Sequence, residues 1–439
     1  MNFYDRESEL ALLSEIKNLS LEGGQMTVMT GRRRIGKTAV LLKSCDQQTT
    51  LYFFVTRKTE ALLCRDFAEE VASKLNLPMM VFSSFGKLFE FLLVIAEEKP
   101  FNLIIDEFQE FDKVNPAIFG EIQKYWDLYK DKSKMNLLIS GSIYSLMHKI
   151  FEDKKEPLFS RASRIIHLKS FSISVLKQIL RDYNPNYTAE DLLALYSLTG
   201  GVAWYVEIFV KYKALTFSKM IDLVFSDESP FLNEGKNLLI EEFGKDYITY
   251  FSILECVSRG LTSRGEIESY LGGKEIAGFL SRLESHFAIL KQKRPIFARP
   301  SGKQIKYVID DNFLSFWFRF IYKYQNYIQS GSVNLLKEIV KRDFPVFSGL
   351  MLERYFKAVY IERGIYTDIG GFWDRKGETE IDLIAVNELE RTVEIAEIKR
   401  NASRIDFGLL EAKGQRFLQL NPILDGYSVT YKGLSMEDM

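Results

Sequence analysis

Hydrophobic and polar positions follow two alternating patterns over the first 170 residues. Five short apolar runs predict β-strands, at residues 26–30, 50–55, 101–106, 135–140 and 164–168. Three longer stretches place apolar residues at i, i+3 and i+4 and predict amphipathic helices, at residues 59–76, 86–98 and 116–130. Because strands that alternate with helices form a parallel sheet covered on both faces, this part is predicted to have an α/β fold.

The pattern changes after residue 170. Residues 171–236 are predicted to form consecutive helices, and two further helices separated by a turn are predicted to start near residues 262 and 274. A basic segment without acidic residues then precedes a strand at 305–309; its charged residues are Lys291, Lys293, Arg294, Arg299, Lys303 and Lys306. Two helices separated by a turn and followed by a basic two-stranded wing are typical of a winged helix. Such domains bind DNA, or they serve as structural spacers or protein contacts.

Residues 313–327 are dense in aromatic side chains. Their spacing, with Arg319 and Lys323 interposed, predicts a helix whose aromatic residues pack two domains together. A base-stacking platform is the alternative, but such platforms usually lie on exposed strands or loops. We therefore predict a core segment here.

One contiguous motif carries the first candidate chemistry. Residues 31–38 read Gly-Arg-Arg-Arg-Ile-Gly-Lys-Thr and match Gly-x-x-x-x-Gly-Lys-Thr at every fixed position, between a predicted strand and a helix-prone segment. Such a loop turns its N–H groups toward phosphates above a helix N-terminus. In this pattern Lys37 reaches the β and γ phosphates and Thr38 holds Mg²⁺. The predicted nucleotide-binding residues are Gly31, Arg32, Arg33, Arg34, Ile35, Gly36, Lys37, Thr38 and Ala39.

A second motif predicts hydrolysis as well as binding. The apolar strand at 101–106 ends in Asp106 and is followed by Glu107, as in a Walker B motif. Asp106 is expected to orient the Mg²⁺ shell, and Glu107 is expected to activate the attacking water. The strand at 50–55 separates this strand from the phosphate-loop strand along the chain. We expect a further strand between those two in space, the arrangement of P-loop proteins with a catalytic glutamate.

Composition limits the remaining possibilities. The 439 residues correspond to about three domains. The formal net charge of −1 argues against wholesale polyanion binding, so that any nucleic-acid contact requires local patches. The cysteines and histidines are dispersed, which fits a reducing cytoplasm and argues against zinc; they are Cys45, Cys64, Cys256, His148, His167 and His286. No apolar run approaches the ~20 residues that span a bilayer, so no membrane association is expected.

These motifs together resemble the archaeal-type ATPases, which are related to the AAA+ and STAND ATPases. The resemblance rests, beside the phosphate loop, on Tyr-Asp-Arg-Glu-Ser-Glu-Leu at 4–10, Leu-Ile-Ile-Asp-Glu-Phe-Gln at 103–109, Leu-Leu-Ile-Ser-Gly-Ser at 137–142, Pro-Leu-Phe-Ser-Arg-Ala at 157–162 and Thr-Gly-Gly at 199–201. It covers nearly the whole chain and is sharpest in the first 170 residues. It implies ATP and Mg²⁺ as ligands.

The resemblance also implies individual roles. Arg6 would border the adenine pocket, and Ser140 or Ser142 would sense the γ phosphate. Arg161, with Arg164 as the alternative, would be the finger that reaches the phosphate of a neighbouring subunit in a homo-oligomer. A solvated cation at a helix end is the other interpretation of Arg161.

The last hundred residues contain a second constellation. Residues 379–386 and 392–399 are predicted to form two strands around a polar turn. If the loop is 388–391, Asp382 lies opposite Glu397, and Lys399 shares the strand face of Glu397. Two adjacent carboxylates can hold Mg²⁺, and an ammonium can position a nucleophilic water. This resembles the PD-(D/E)XK nuclease core, with Glu353 as the fourth member. A salt-bridged hairpin without catalysis remains the alternative.

We therefore predict an α/β P-loop NTPase parallel sheet with a helical lid, followed by a winged helix and a small α/β nuclease-like domain. The expected segments are a P-loop ATPase core at 1–170, a lid at 171–246, a winged helix at 247–311, a helical connector at 312–345 and the nuclease-like domain at 346–439. ATP turnover would be coupled to DNA binding or processing by the C-terminal domains. The alternative is a nucleotide-gated scaffold whose C-terminal fold does not cut.

Overall fold

The computed structural model describes residues 1–46, 48–141, 144–243, 247–299, 302, 304–374 and 378–439. The chain divides into two compact units. The first is Tyr4–Ser170, and the second is Phe171–Met439 together with Met1–Phe3. Within the described ranges, none of the helices combines the length and apolar character that crossing a bilayer requires.

The first unit contains a five-stranded parallel sheet. Its strands are β1 Gln25–Thr30, β2 Thr50–Phe54, β3 Phe101–Asp106, β4 Met135–Ser140 and β5 Arg164–His167. All five strands were predicted, with bounds that differ by at most one residue. The spatial order is β2-β3-β4-β1-β5, so β4 lies between the phosphate-loop strand and the acid-bearing strand. The predicted strand insertion is therefore confirmed.

Helices cover both faces of this sheet. They are α1 Glu7–Leu19, α2 Lys37–Ser44, α3 Glu60–Leu75, α4 Phe85–Glu98, α5 Phe111–Val114, α6 Ala117–Tyr129 and α7 Tyr144–Glu152. Separate apolar clusters lie on the two faces of the sheet, and every residue of β3 and β4 is buried. Double burial explains why these strands read as continuous apolar runs. The arrangement leaves the carboxyl ends of β1, β3 and β4 adjacent.

The second unit begins with five helices. They are α8 Ile173–Tyr183, α9 Ala189–Thr199, α10 Ala203–Lys211, α11 Phe217–Val224 and α12 Pro230–Phe243. The start of α9 is fixed by a capping box, in which the Thr188 hydroxyl accepts from the Asp191 N–H and the Asp191 carboxylate accepts from the Thr188 N–H. The helices predicted for residues 171–236 are confirmed.

Three helices and a two-stranded antiparallel sheet follow. They are α13 Tyr247–Ser258, α14 Arg264–Tyr270, α15 Ala277–Ser281, β6 Leu290–Lys293 and β7 Lys306–Ile309, with a π-helical turn after α15. The helix predicted from residue 274 begins three residues later. Gly272 and Gly273 have φ of +72° and +80°, and the Glu268 side chain accepts from the Ile276 N–H at 3.2 Å, which ends the turn and starts the helix at Ala277.

The aromatic segment is a core, as predicted. It forms α16 Asn312–Phe316, a π-helical turn, a 3₁₀ turn and α17 Gln325–Gln329 rather than one regular helix. Phe313, Trp317 and Phe318 are almost completely buried. The 31-residue helix α18 Val333–Arg363 then runs across the segment boundary expected at residue 345.

A four-stranded mixed sheet closes the chain. Its strands are β8 Asp368–Trp373, β9 Glu380–Asn387, β10 Thr392–Ile398 and β11 Ser428–Leu434, in the order β11-β10-β9-β8, with helix α19 Phe407–Leu420 before β11. Strands β8, β9 and β10 are antiparallel, whereas β11 is parallel to β10. Asn387 pairs with Thr392, which makes 388–391 the hairpin loop. This is the predicted loop, and it fixes the register that the candidate site requires.

Candidate functional site

The phosphate loop joins β1 to α2 through a backbone that requires glycine at two positions. Gly31 has φ +149° and Gly36 has φ +101°, and a Cβ on Gly31 would lie 2.7 Å from the Leu168 carbonyl oxygen. Gly36 is also the residue before the first turn of α2. The loop therefore leads directly to a helix N-terminus, where backbone N–H groups have no intrahelical partners.

Lys37 is folded over this loop. It is 7% exposed, and its Nζ donates to the Gly31 carbonyl at 2.9 Å and to the Arg32 carbonyl at 3.1 Å. Burial lowers the pKa of its ammonium group to about 8, whereas the nearby carboxylates of Glu107 and Asp106 favour the charged form. An added phosphate would stabilise a charge that burial disfavours, so the position suits an anionic ligand.

Asp106 links the phosphate loop to the strand ends. Its Oδ2 accepts from Thr38 Oγ1 at 2.7 Å and from the Tyr52 hydroxyl at 2.8 Å, and its Oδ1 accepts from Ser140 Oγ and from the Glu107 N–H. The two motifs that are 68 residues apart in sequence thus meet through one hydrogen bond. Thr38 and Asp106 supply the hydroxyl and carboxylate oxygens that Mg²⁺ prefers.

Glu107 lies at the end of β3 in a left-handed backbone conformation. Its φ is +53° and its ψ is +41°. Its Oε2 accepts from Gln109 Nε2 at 2.5 Å. A non-glycine residue in this conformation stores strain of order 1–3 kcal/mol and commonly marks a functional position. The carboxylate is therefore held in a set direction at the edge of the sheet.

Two of these contact residues were not identified from the sequence. Tyr52 lies on β2, whose register pairs Phe54 with Asp106, so the hydroxyl of Tyr52 reaches the carboxylate from two residues earlier on the same face. Its hydroxyl within an otherwise apolar strand was the available signal. Gln109 gave no comparable signal, because a glutamine in a polar turn is common.

The residues with roles implied by the resemblance lie in different settings. Arg6 is 4% exposed, donates to the Lys169 carbonyl at 2.8 Å and pairs with Asp5 and Glu9 at 3.5 Å. Ser140 bonds Asp106, whereas Ser142 lies outside the described residues. Ala39 is exposed on the first turn of α2.

Arg161 is partly exposed and is engaged within its own unit. Its Nη2 lies 3.1 Å from Asp127 Oδ2, and its Nη1 donates to the Phe159 carbonyl at 2.8 Å. Arg164 is exposed on β5. A finger role for Arg161 would require the pair with Asp127 to break.

The C-terminal hairpin collects four charged side chains, which we name the C-terminal charge cluster: Asp382, Glu397, Lys399 and Lys413. Lys399 Nζ lies 3.2 Å from Asp382 Oδ2 and 2.8 Å from Glu397 Oε1. Lys413, on α19, lies 3.2 Å from Glu397 Oε2. The cluster lies on the sheet face that α19 covers.

The side chains of the C-terminal charge cluster shift one another's pKa values. Burial raises the pKa of Asp382, although the Ile398 N–H donates to its Oδ2 at 2.8 Å and Lys399 also favours its ionised form. The pKa of Lys399 is raised by its contacts with Glu397 and Asp382, which outweigh the effect of burial. One ammonium therefore bridges two carboxylates.

Glu353, on α18, belongs to the same electrostatic environment. Burial and, to a smaller extent, the charge of Asp382 raise the pKa of its carboxyl to about 7, although Lys293 opposes the shift. Among the described residues, no group of three or more His, Cys, Asp or Glu side chains is arranged to hold a metal ion.

The basic segment that was predicted to be a wing consists of β6, β7 and the described residues between them, and it is packed against the C-terminal sheet. The Ile296 N–H donates to the Gly371 carbonyl at 2.8 Å, and Phe297 stacks on Phe417 with ring centroids 6.5 Å apart. Lys306 pairs with Glu380 at 2.9 Å and lies 4.7 Å from the centre of the Trp373 ring.

Because of this packing, some basic side chains of this segment interact with other residues of the chain. Burial lowers the pKa of Lys293, and Glu353 opposes this effect. Arg294 donates to the Gln292 side chain at 2.7 Å. Lys303 lies outside the described residues. The basic residues that suggested DNA contact are therefore only in part available to a polyanion.

Comparison with known proteins gives two matches to families and one close relative. Residues 3–209 match an ATPase domain predominantly from Archaea, and residues 317–408 match archaeal and bacterial proteins of unknown function. The uncharacterized protein MJECL04 of Methanocaldococcus jannaschii is 30% identical over 407 residues, which are 90% of this chain and 87% of that protein.

Two solved structures share the fold. The Walker-type ATPase PABY2304 of Pyrococcus abyssi is 19% identical with a TM-score of 0.54, over 72% of this chain and 96% of that one. The ORC2 protein of Aeropyrum pernix, solved as ADPNP and ADP complexes, is 13% identical with a TM-score of 0.50, over 75% and 96%. At these identities the likeness concerns the fold alone.

Proposed function

The chain belongs to the archaeal-type P-loop ATPase family, and we propose that it binds ATP with Mg²⁺ and hydrolyses the ATP to ADP and phosphate. The observation that carries this proposal is the 2.7 Å hydrogen bond from Thr38 Oγ1 to Asp106 Oδ2. It places a hydroxyl and a carboxylate together at the end of the phosphate loop. When bound, Mg²⁺ would neutralise phosphate charge at these two residues.

Lys37 and the loop backbone would hold the phosphates. The Lys37 ammonium donates to two loop carbonyls, and it would exchange these contacts for phosphate oxygens, which favour its charged form. Gly31 and Gly36 allow the backbone to approach the ligand without a Cβ in the way. These residues act in the ground state and in the transition state alike.

Glu107 would act mainly when water attacks. Its carboxylate stands next to Asp106, and its strained backbone and the contact with Gln109 set its direction. General-base catalysis of this kind contributes about 10²–10⁴-fold in rate. Ser140, which contacts Asp106 at the end of β4, would respond to the γ phosphate.

Paired variants test this assignment. We expect Lys37→Ala to lose ATP binding, measured by calorimetry, and to lose phosphate release. We expect Glu107→Gln to bind ATP normally and to hydrolyse it about 10²–10⁴-fold more slowly. Lys43→Ala is the matched control, because Lys43 lies on the same helix but is exposed and paired with Asp46. Normal turnover by Glu107→Gln would refute Glu107 as the catalytic base.

We further propose that nucleotide state is coupled to DNA binding or processing through the C-terminal part of the chain. In this proposal the three-helix and two-stranded segment is a winged helix and the four-stranded sheet is a nuclease-like domain, with α18 joining it to the connector. Lys399 in contact with both Asp382 and Glu397 supports a Mg²⁺-dependent cleavage site.

A nucleotide-gated scaffold is the second candidate, in which the C-terminal fold binds protein or DNA without cutting. It is favoured by the internal pairing of Lys306 with Glu380 and by the additional salt bridge of Glu397 with Lys413, which leave less charge for substrate. A cleavage assay with linear, nicked and branched DNA, with and without Mg²⁺ and ATP, separates the candidates. Binding without Mg²⁺-dependent products supports the scaffold.

A further inference from the structure

The turn after β3 contains a buried amide that the mechanism above uses only as a contact. Gln109 lies in the 3₁₀ turn Phe108–Glu110 and is 1% exposed. Its Nε2 donates to Glu107 Oε2 at 2.5 Å. Charged acceptors form hydrogen bonds about twice as strong as neutral ones, so this contact strongly restricts the rotamer of Glu107.

The other side of the same amide faces the end of β4. Gly141 follows Ser140, and a Cβ on Gly141 would overlap Gln109 Oε1 and Met147 Sδ. The β4 backbone therefore packs directly against the amide. Two consecutive residues at this strand end are thus linked to Asp106 and Glu107. Ser140 donates a hydrogen bond to Asp106, and Gly141 packs against Gln109, which donates to Glu107.

The hydrogen bonding of the amide argues against a purely structural role. Buried polar groups that join segments usually have both donor and acceptor satisfied. In the part of the chain that the structure describes, Gln109 Oε1 has no hydrogen-bond partner. The side chain of Gln109 donates its hydrogen bond to Glu107. This bond therefore orients the Gln109 amide and the Glu107 carboxylate relative to each other.

We infer that Gln109 is a positioning residue for Glu107, holding its carboxylate in the direction that activates water and tying that direction to the end of β4. This inference rests on the proposed ATPase function. Misplacement of a reacting group by about 1 Å can cost about 100-fold in rate. Gln109→Leu, which keeps the size and removes the donor, should therefore lower kcat about 10- to 100-fold with KM and ATP affinity unchanged.

The readout that separates positioning from loss of structure is a double-mutant cycle. Adding Gln109→Leu to Glu107→Gln should cause no further loss of kcat, because the amide acts through that carboxylate. Gly141→Ala should also lower kcat by displacing Gln109, and should add nothing to Gln109→Leu. Glu110→Gln is the matched control: Glu110 is buried in the same turn but pairs with Arg57 at 2.6 Å, and its kcat should stay at the wild-type value.

Three results would overturn the inference. The first is an unchanged kcat in Gln109→Leu. The second is a raised kcat in Gln109→Leu, which would mean that the contact restrains turnover. The third is a loss of kcat in Glu110→Gln as large as that in Gln109→Leu. Failure of the proposed function is distinguishable, because it would appear as a wild type that does not turn over ATP, or as normal turnover in Lys37→Ala and Glu107→Gln. Circular dichroism and ATP binding of each variant exclude misfolding as the cause of a lower kcat.

Discussion

Replacing Glu353 by Gln should reduce the loss of unfolding free energy that the wild type shows as the pH rises from 5 to 8. Burial raises the pKa of this carboxyl from 4.5 to about 7. Because the native state binds the proton more tightly than the unfolded state, Glu353 contributes stability that is fully present below pH 4.5 and is lost as the pH rises through 7. Gln is uncharged at every pH and lacks this effect.

The magnitude follows from the two pKa values. The full difference corresponds to about 3 kcal/mol, since one pKa unit is worth about 1.4 kcal/mol, and most of it falls between pH 5 and pH 8. The free energy of unfolding of the wild type should therefore fall by about 2–3 kcal/mol relative to Glu353→Gln over this interval. All other titrating groups are shared by the two proteins, so the comparison reports Glu353 together with its effect on neighbours such as Asp382 and Lys293.

Urea unfolding followed by tryptophan fluorescence measures this difference. The Trp126→Phe background removes the tryptophan of the first unit and leaves Trp204, Trp317 and Trp373, which lie in the same unit as Glu353. Glu338→Gln is the control, since Glu338 is an exposed residue of the same helix. A wild-type minus Glu353→Gln difference that stays constant from pH 5 to pH 8 would refute the reasoning that burial governs this carboxyl.

Two further predictions concern Arg161 and the C-terminal charge cluster. If Arg161 acts on a neighbouring subunit, inactive Arg161→Ala and inactive Lys37→Ala proteins should regain ATP turnover when mixed, because each supplies what the other lacks; no recovery in a demonstrably mixed oligomer would favour the helix-end role beside Asp127. If the C-terminal charge cluster cuts DNA, Asp382→Asn and Lys399→Ala should each abolish cleavage and leave phosphate release from ATP unchanged; cleavage that survives both substitutions would exclude this site.

The nucleotide site was largely predictable because its chemistry is local. Residues 31–38 are contiguous, and the glycines at both ends of the loop are required by the backbone of that loop itself. Asp106 and Glu107 follow directly from a strand that the sequence predicts with its observed bounds. The insertion of a strand between β1 and β3 was also predicted, because P-loop proteins with a catalytic glutamate share that arrangement; the inserted strand is β4.

The hairpin of the C-terminal domain was predictable for a similar reason. A loop at 388–391 sets the register, and the register alone places Asp382 opposite Glu397. Side chains two residues apart on a strand share a face, which brings Lys399 to the same carboxylates. The functional role of this group stays a prediction, because proximity does not distinguish catalysis from a salt bridge.

Only the tertiary structure decided which distant groups meet. Tyr52 reaches Asp106, and Gln109 meets both Glu107 and the end of β4. Lys306 pairs with Glu380, and the charge of Glu353 acts on Lys293. Periodicity and motif spacing describe neighbours along the chain, whereas burial and hydrogen-bond partners depend on how separate elements pack. The sequence by itself therefore determined the strands of the first unit, the loop chemistry and the hairpin register. Packing determined the pKa of Glu353, the partners of the basic residues near β6 and β7, and the orientation of the candidate base.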